Sequence, residues 1–380
     1  MNYVVDTVII GAGPSGISCA ITLQKNNASN LVVEKKSFPR DKTCGGLVTN
    51  KTVKLLKTCL DLTEEHGLPD VFCDSENSVE LYYNEKMLTR SRVSKEFRFV
   101  KRSVFDSCLA RRYKELGGRL LENCSFTAID MKNRRLTLTT GDTVDFKRLV
   151  AADGALSSTR KALGLKECKP GFCVETHIPK TKLPYKCGVR IYFGLVKAGY
   201  AWVFPSGNEY CIGLGGVFRK DIRYDESLKR FLESLGIAQD ECSFKGAFVP
   251  YGRALKQKNG PDDAVFIGDA GGFVDPICGE GLYFAIASGV EAANSVLSGK
   301  ERFSREFARR TSPYVKIIDQ GARIQKIFFR DTIMKRFIKR IAGKNEFVSF
   351  YCDNRVSEYN CSFAEITKKY RDYKKSKNVR

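Results

Sequence analysis

Apolar positions near the start of the chain come in short dense runs divided by glycine-rich turns. Val4-Val5-Asp6-Thr7-Val8-Ile9-Ile10 has the length and β-branched content of a buried strand. It passes through Gly11-Ala12-Gly13-Pro14-Ser15-Gly16 into a helical run from Ile17 to Lys25, and a second strand follows at Leu31-Val32-Val33. Residues 79–100 alternate instead (Val79, Leu81, Tyr83, then Phe97, Phe99), which predicts strands leaving the first unit for a second sheet. A helix is predicted from Lys101 to Leu116, with Ser103 as its cap, Asp106 in its first turn and Gly117-Gly118 as its stop. Arg119 to Asp130, Leu136 to Thr140 and Thr143 to Val150 return to strand, with Gly141-Asp142 as a hairpin turn.

From about 168 to 250 aromatic and β-branched runs predict antiparallel sheet, at Gly188 to Phe193, Tyr200 to Phe204, Tyr210 to Phe218 and Ser243 to Val249. Tyr200, Trp202 and Phe204 share one face of their strand. They form either a sheet core or the wall of a pocket, and Trp202 is the only tryptophan. Ala264 to Ile267 is another short buried strand, followed by a glycine-rich loop, Gly268 to Leu282, and a helical pattern from Tyr283 to Val296. Beyond 301 the chain is helical: Tyr314, Ile317, Ile318, Ile324, Phe328, Met334, Phe337, Ile338 and Ile341 recur at three- and four-residue spacing. The last ten residues, with Lys374, Lys375, Lys377 and Arg380, are expected to be frayed and exposed.

Composition adds three limits. With 380 residues, 43% of them apolar, the chain can bury a sizeable core in two units or one elaborate one. Its net charge is +21, and residues 301–380, with 21 basic and 9 acidic side chains, hold +12 of it. Lys316, Arg323, Lys326, Arg330, Lys335, Arg336, Lys339 and Arg340 either form a solvated helix face or dock on anionic lipid headgroups. No helix-turn-helix or RNA-binding signature accompanies the charge, so no nucleic-acid partner is expected. The fourteen cysteines include no Cys-x-x-Cys pair, many stand singly in apolar surroundings (Cys19, Cys108, Cys211), and no leader-like segment precedes Val4. A reduced, cytoplasmic protein is expected, possible at the inner face of a membrane but not spanning it. With only His66 and His177, no metal site is expected.

Candidate chemistry begins at Gly11–Gly16. This is a G-x-G-x-x-G fingerprint in its strand–loop–helix context: Gly11 for the tight turn, Gly13 for close approach to a pyrophosphate, and Gly16 for helix packing. Glu34 closes the second strand at the distance that suits the paired hydroxyls of an adenosine ribose. Ala152-Asp153-Gly154 with Ser157, Ser158 and Arg160 is a second nucleotide signal, and an Asp153–Arg160 ion pair is the structural alternative. The third is Gly268-Asp269 through Pro276, Gly279, Gly281 and Leu282. It is either an ordinary turn rich in glycine or a helix N-terminus presented to an electron-rich ligand. Cys44, followed by Gly45-Gly46 and preceded by Arg40 and Lys42, has three readings: buried packing, a place beside a flavin, or a reactive thiol.

Together the three signals resemble the FAD-containing proteins of the p-hydroxybenzoate hydroxylase-type fold, over about residues 1–300. Within that group, Pro39-Arg40-x-Lys42-x-Cys44-Gly45-Gly46 and Tyr200-x-Trp202-x-Phe204-Pro205-x7-Gly213-x-Gly215 resemble the geranylgeranyl reductase family. The fold implied is α/β. It combines a Rossmann-like FAD-binding domain (1–78, 101–165 and 255–300), an inserted antiparallel-sheet substrate domain (79–100 and 166–254) and a C-terminal helical basic region (301–380). For the cofactor, the resemblance implies Gly11, Gly13, Pro14, Ser15 and Gly16 at the pyrophosphate and Glu34 at the adenosine ribose, with Lys35 and Arg40 also binding the cofactor. It implies Cys44, Gly45, Gly46 and Leu47 at the isoalloxazine, with Arg102, the Phe126 backbone, Asp153 and Gly154 also near the FAD. Gly268 and Asp269 fall at the ribityl-phosphate end, and Pro276, Gly279, Gly281 and Leu282 at the ring. The motif Tyr200, Trp202, Phe204, Pro205, Gly213 and Gly215 would line the pocket of an isoprenoid tail.

The activity implied is saturation of isoprenoid double bonds on a lipid or prenyl diphosphate, with hydride from reduced FAD and Cys44, Tyr200 or bound water as candidate proton donor. No second dinucleotide fingerprint occurs, so electrons are expected from transient NAD(P)H or a small reduced carrier. Two rivals remain. One is a flavin monooxygenase or halogenase on the same fold; the other is a non-catalytic flavoprotein docking on membranes through its basic end.

Overall fold

The protein is described as a computed structural model covering residues 1–183, 186–238, 242–255, 261–341, 343–358 and 363–377. Its first half alternates strands and helices: β1 (Asn2–Ile10), α1 (Pro14–Lys25), β2 (Asn30–Val33), β3 (Leu47–Val48), α2 (Asn50–Leu60), β4 (Phe72–Tyr83), β5 (Lys86–Val100) and α3 (Arg102–Glu115). Then come β6 (Arg119–Leu121), β7 (Phe126–Asp130), β8 (Arg135–Leu138), β9 (Thr143–Ala151) and α4 (Ser158–Ala162). The middle is mostly strand: β10 (Pro170–Pro179), β11 (Val189–Phe193), β12 (Gly199–Ser206), β13 (Glu209–Val217), α5 (Tyr224–Ser234), β14 (Lys245–Pro250) and β15 (Ala264–Phe266). Helices α6 (Leu282–Leu297), α7 (Phe303–Phe328), α8 (Asp331–Ile341), α9 (Asn345–Tyr351) and α10 (Phe363–Lys377) complete the chain.

The strands form two sheets. The first has seven strands in the order β6-β2-β1-β9-β8-β7, with β15 added on β9. Its β6, β2, β1, β9 and β15 are parallel, so their residues are covered on both faces and read as near-continuous apolar runs. Val8, Ile9, Leu149, Val150 and Val265 have no exposed surface. Helix α1 packs against α6 at very short range: a Cβ added to Gly289 would come within 2.2 Å of the Ser15 carbonyl oxygen. The second sheet has eight strands, β14-β10-β13-β12-β11-β4-β5-β3. All its pairs are antiparallel except β4 with β11. One face packs on α5 through Ile212, Leu228 and Phe231, and a further apolar cluster joins Trp202 and Phe204 to Val348 and Cys352 near the C-terminus.

Two local expectations change. Helix α3 begins at Arg102, with Lys101 at the cap position and no side-chain cap, so Ser103 lies inside the first turn. Asp106 is paired with Arg102 instead of standing free at the helix end. Residues 371–377 are largely exposed as expected but not frayed: α10 runs to Lys377 because Tyr370 and Tyr373 pack on Phe347 and Phe350 of α9, and Lys374 and Lys377 pair with Glu346. Arg380 and the side chains of Ile338, Lys339 and Ile341 lie outside the described residues.

Candidate active site

The loop from β1 to α1 forms a cradle that only glycine allows. Gly11 has φ +101°, and a Cβ there would lie 2.5 Å from the Ala152 carbonyl oxygen at the end of β9. A Cβ on Gly16 would lie 1.9 Å from the Gly11 carbonyl oxygen, so Gly16 serves packing and does not line the cavity. Glu34 accepts the Ala12 N–H at 2.8 Å and the Lys36 N–H at 3.1 Å, tying the second strand to the cradle. Arg40 crosses above it, with Nη1 3.3 Å from Asp106 and Nε 3.6 Å from Glu34. Its Nε is buried and has no hydrogen-bond partner. Arg102 grips Asp106 with two bonds of 2.8 Å. Burial opposes the Arg102 charge, but Asp106 and Cys44 beside it outweigh that and raise its pKa.

The turn after β9 does not form the Asp153–Arg160 ion pair that was the structural alternative there. Asp153 accepts the Ser157 hydroxyl at 2.6 Å and the Thr159 N–H at 2.8 Å, so its carboxylate organises α4. Arg160 turns the other way: its Nε donates to the Ala270 carbonyl at 2.6 Å, and its guanidinium lies 4.0 Å from the centre of the Phe266 ring. Arg160 therefore fastens this turn to the Gly268–Leu282 loop. Gly268 takes φ +53° and packs on Ser15, away from the cavity surface.

The rest of that loop is pinned from several sides. Asp275 accepts the N–H groups of Ile277 and Cys278 at 2.8 and 3.0 Å and pairs with Arg355 at 2.6 Å. Pro276 lies against Gly321 of α7, and its carbonyl accepts from Gln325. Glu280 pairs with Lys51 at 2.7 Å and accepts the Thr49 hydroxyl at 2.9 Å. The Tyr200 hydroxyl donates to the Cys278 carbonyl at 2.5 Å, joining the loop to β12.

These parts enclose one cavity of about 650 Å³. Gly11, Gly13, Pro14, Ser15, Glu34, Lys35 and Arg40 line its cradle end; Phe126, Asp153, Gly154 and Asp269 line it nearby. Cys44, Gly45, Gly46, Leu47, Arg102, Gly279, Gly281 and Leu282 form its middle. Tyr200, Trp202, Phe204 and Gly215 face it from the second sheet, with adjacent rings 6.0 and 6.2 Å apart. Three expected residues stand behind that surface. Pro205 is buried in the strand pair with β13. Gly213 leaves room for the Trp202 ring, which a Cβ would meet at 2.4 Å, and Pro276 packs on α7.

Sequence reasoning missed two contributors. Ile324, Phe328, Phe337, Phe347, Val348 and Tyr351 bring the C-terminal helices onto the cavity; their only signal was aromatic content at helical spacing. Glu175 of β10 also lines it, 4% exposed, and accepts the Cys44 N–H at 2.7 Å. Its signal was a lone acid inside an apolar strand. Burial raises the Glu175 pKa and pushes the neighbouring Cys173 thiol up to about 12. Glu175, His177 and Cys211 bring three potential ligand atoms within 4.8 Å of one another. Glu175 already serves Cys44 and His177 leans on Glu209 at 3.6 Å, so these groups are engaged within the protein. All thirteen described cysteines are free thiols.

The glycine cradle, the carboxylate at the end of β2 and the buried Arg40 guanidinium, whose Nε makes no hydrogen bond, fit a dinucleotide diphosphate. The chain is an FAD-dependent oxidoreductase: residues 5–182 match the family described as pyridine nucleotide-disulphide oxidoreductase. It is 30% identical over 322 residues to an uncharacterised protein of Methanosarcina barkeri, covering 80% of each chain. It is 28% identical over 326 residues to the menaquinone reductase of Mycolicibacterium smegmatis (79% of this chain, 78% of that one). With the digeranylgeranylglycerophospholipid reductase of Methanocaldococcus jannaschii it shares 27% over 314 residues (77% and 76%). A geranylgeranyl bacteriochlorophyll reductase-like structure from Thermoplasma acidophilum superposes with a TM-score of 0.79 at 17% identity, over 98% of this chain and all of that one. A flavin-dependent brominase, Bmp2, gives 0.70 at 19% identity over 98% and 100%. This chain belongs to the same family as the Methanosarcina barkeri protein, and over most of its length it is similar to reductases of long-chain lipids.

Proposed function

We propose that the protein saturates carbon–carbon double bonds of an isoprenoid chain carried by a lipid or prenyl diphosphate. The observation that carries this reading is the continuity of the cavity. It leads from the glycine cradle past Cys44–Gly46 into a chamber walled by Tyr200, Trp202 and Phe204 on one side and Phe328, Phe337 and Phe347 on another. Such a wall binds an uncharged flexible chain by burial of apolar surface. The names of the relatives, which include a menaquinone reductase and a digeranylgeranylglycerophospholipid reductase, support a long-chain lipid.

A bound FAD, reduced by NAD(P)H or a small carrier, would supply the hydride for one alkene carbon. The protein's part is to hold the chain against the flavin, exclude water and deliver a proton to the other carbon. Cys44 is the better donor of the two side-chain candidates. It lines the middle of the cavity beside Arg102. Tyr200 commits its proton to the Cys278 carbonyl, and burial raises its pKa well above the ordinary value. Its role is to close the wall onto the loop.

No helix among the described residues is long and apolar enough to cross a membrane. Exposed Lys316, Arg323, Lys326, Lys335 and Arg336 on α7 and α8 and Arg330 between them, with Ile327 51% exposed among them, suit docking on anionic lipid from the cytoplasmic side. The decisive experiment is anaerobic. Dithionite-reduced holoprotein is mixed with a geranylgeranyl lipid, and flavin absorbance and product mass are followed. Reoxidation with gain of H2 per double bond is expected. Reoxidation by oxygen alone, with a hydroxylated or halogenated product, would overturn the reading.

A further inference from the structure

We infer that Glu175 is a positioning residue: from β10 it holds the Cys44 peptide and so fixes where the Cys44 thiol stands in the cavity. The inference rests on the reductase reading only for what the thiol is there to do.

Glu175 is an expensive residue to keep. It is 4% exposed, and among the described residues no lysine, arginine or histidine forms an ion pair with it. Burial raises its pKa, and only the more distant Lys42 and Lys245 pull the other way by charge. An aliphatic side chain would fill the same strand position at no such cost. The one strong bond the carboxylate makes is to the Cys44 N–H, at 2.7 Å and across 131 residues of sequence. Its second oxygen lies 3.6 Å from the Cys211 sulfur.

The other contacts of the loop explain why that bond matters. At its far side Gly46 is held by β5: Val100 N–H donates to the Gly46 carbonyl at 2.9 Å, and a Cβ on Gly46 would meet the Val100 oxygen at 2.4 Å. Between the two anchors Gly45 is pressed on the aromatic wall, where a Cβ would meet the Phe204 ring at 2.9 Å. The Cys44 sulfur accepts the Gly46 N–H at 3.5 Å and has Arg102 beside it. The loop is thus clamped at Gly46 by one strand and at Cys44 by Glu175, with the thiol at the Glu175 end. Releasing that end frees the thiol while the Gly46 end stays in place.

The test uses Glu175→Ala, the volume-matched Glu175→Met in case the alanine variant fails to fold, and Glu175→Gln, whose amide oxygen still accepts an N–H. Thermal melting and flavin content check each protein. Alkylation of Cys44 by iodoacetamide is timed in the ligand-free protein by peptide mass spectrometry. Loss of the acceptor is expected to speed alkylation about tenfold, because the freed loop opens to the reagent, and Glu175→Gln to restore the slow rate. In turnover, loss of the acceptor is expected to lower kcat about tenfold with KM for the lipid little changed, again with rescue by glutamine. Wild-type alkylation rates in the alanine and methionine variants would overturn the inference. So would a glutamine variant that behaves like methionine, since the carboxylate would then act by its charge or proton. Alkylation needs no lipid, so failure of the wild-type protein to reduce any isoprenoid would defeat the reductase reading and leave this contrast to be decided by itself.

Discussion

Arg355 and Asp275 form an ion pair of 2.6 Å with side chains 6% and 2% exposed, and it joins the C-terminal helices to the loop that precedes α6. Burial alone would raise the Asp275 pKa, but Arg355 and the N–H groups of Cys278 and Ile277 overcome it and hold the pKa below the ordinary aspartate value. Removing Arg355 strands a buried carboxylate, a change that costs about 3–5 kcal/mol in comparable sites. Arg355→Met is therefore expected to melt well below the wild type at pH 7. The folded pKa of Asp275 is depressed, so its contribution is present above the ordinary carboxylate range and lost as pH falls through it. The gap between the two proteins should narrow as pH drops through about 4, measured by urea unfolding at several pH values.

Glu175 predicts the opposite dependence. Burial raises its folded pKa, so stability is largest at pH below the ordinary glutamate value and declines as pH rises through the raised one. Glu175→Gln has no such loss. The advantage of the glutamine variant in unfolding free energy should be absent in acid and grow toward neutral pH.

Gly45 lies so close to Phe204 that an added methyl group would reach 2.9 Å from the ring. Gly45→Ala should keep the fold and the FAD, yet lift the loop and reduce kcat about tenfold. Pairing it with Phe204→Leu, which makes room, should recover part of the rate. Stopped-flow reoxidation of both proteins by lipid checks this.

Trp202 sits in the chamber wall with 7% of its surface exposed, and Gly213 behind it is the space its ring occupies. Trp202→Ala should weaken binding of the isoprenoid lipid about tenfold or more while the protein remains yellow. Loss of flavin together with lipid binding would mean that the strand supports the whole fold. Equilibrium lipid binding and flavin absorbance separate the outcomes.

The parts that were legible in the sequence are those governed by local rules. Gly11–Gly16 needs its glycines for backbone approach, and the alternation of Tyr200, Trp202 and Phe204 fixes a shared face whatever lies opposite. The resemblance carried the assignment of Cys44 to the cavity. What was not legible depends on contacts between distant segments. Asp153 and Arg160 are close in sequence and opposite in charge, but Thr159 and Ser157 satisfy one and the Ala270 carbonyl the other. Arg355 sits in a basic C-terminal region, where nothing local separates it from solvated neighbours such as Lys335 and Arg336. Tyr370 and Tyr373 order the final helix through rings contributed by α9, a partnership no short window contains.

The cavity's two ends are built from different materials. Around Gly11 and Gly46 the walls are main chain at its closest approach, where any added atom collides with a carbonyl oxygen 2.4 to 2.5 Å away. Around Phe328, Phe337 and Phe347 they are single side chains borne on separate helices. Mutation can trade the second group one residue at a time while the first stays frozen. A lineage could thus drift toward longer, shorter or branched hydrocarbon tails and never disturb the redox half of its enzyme.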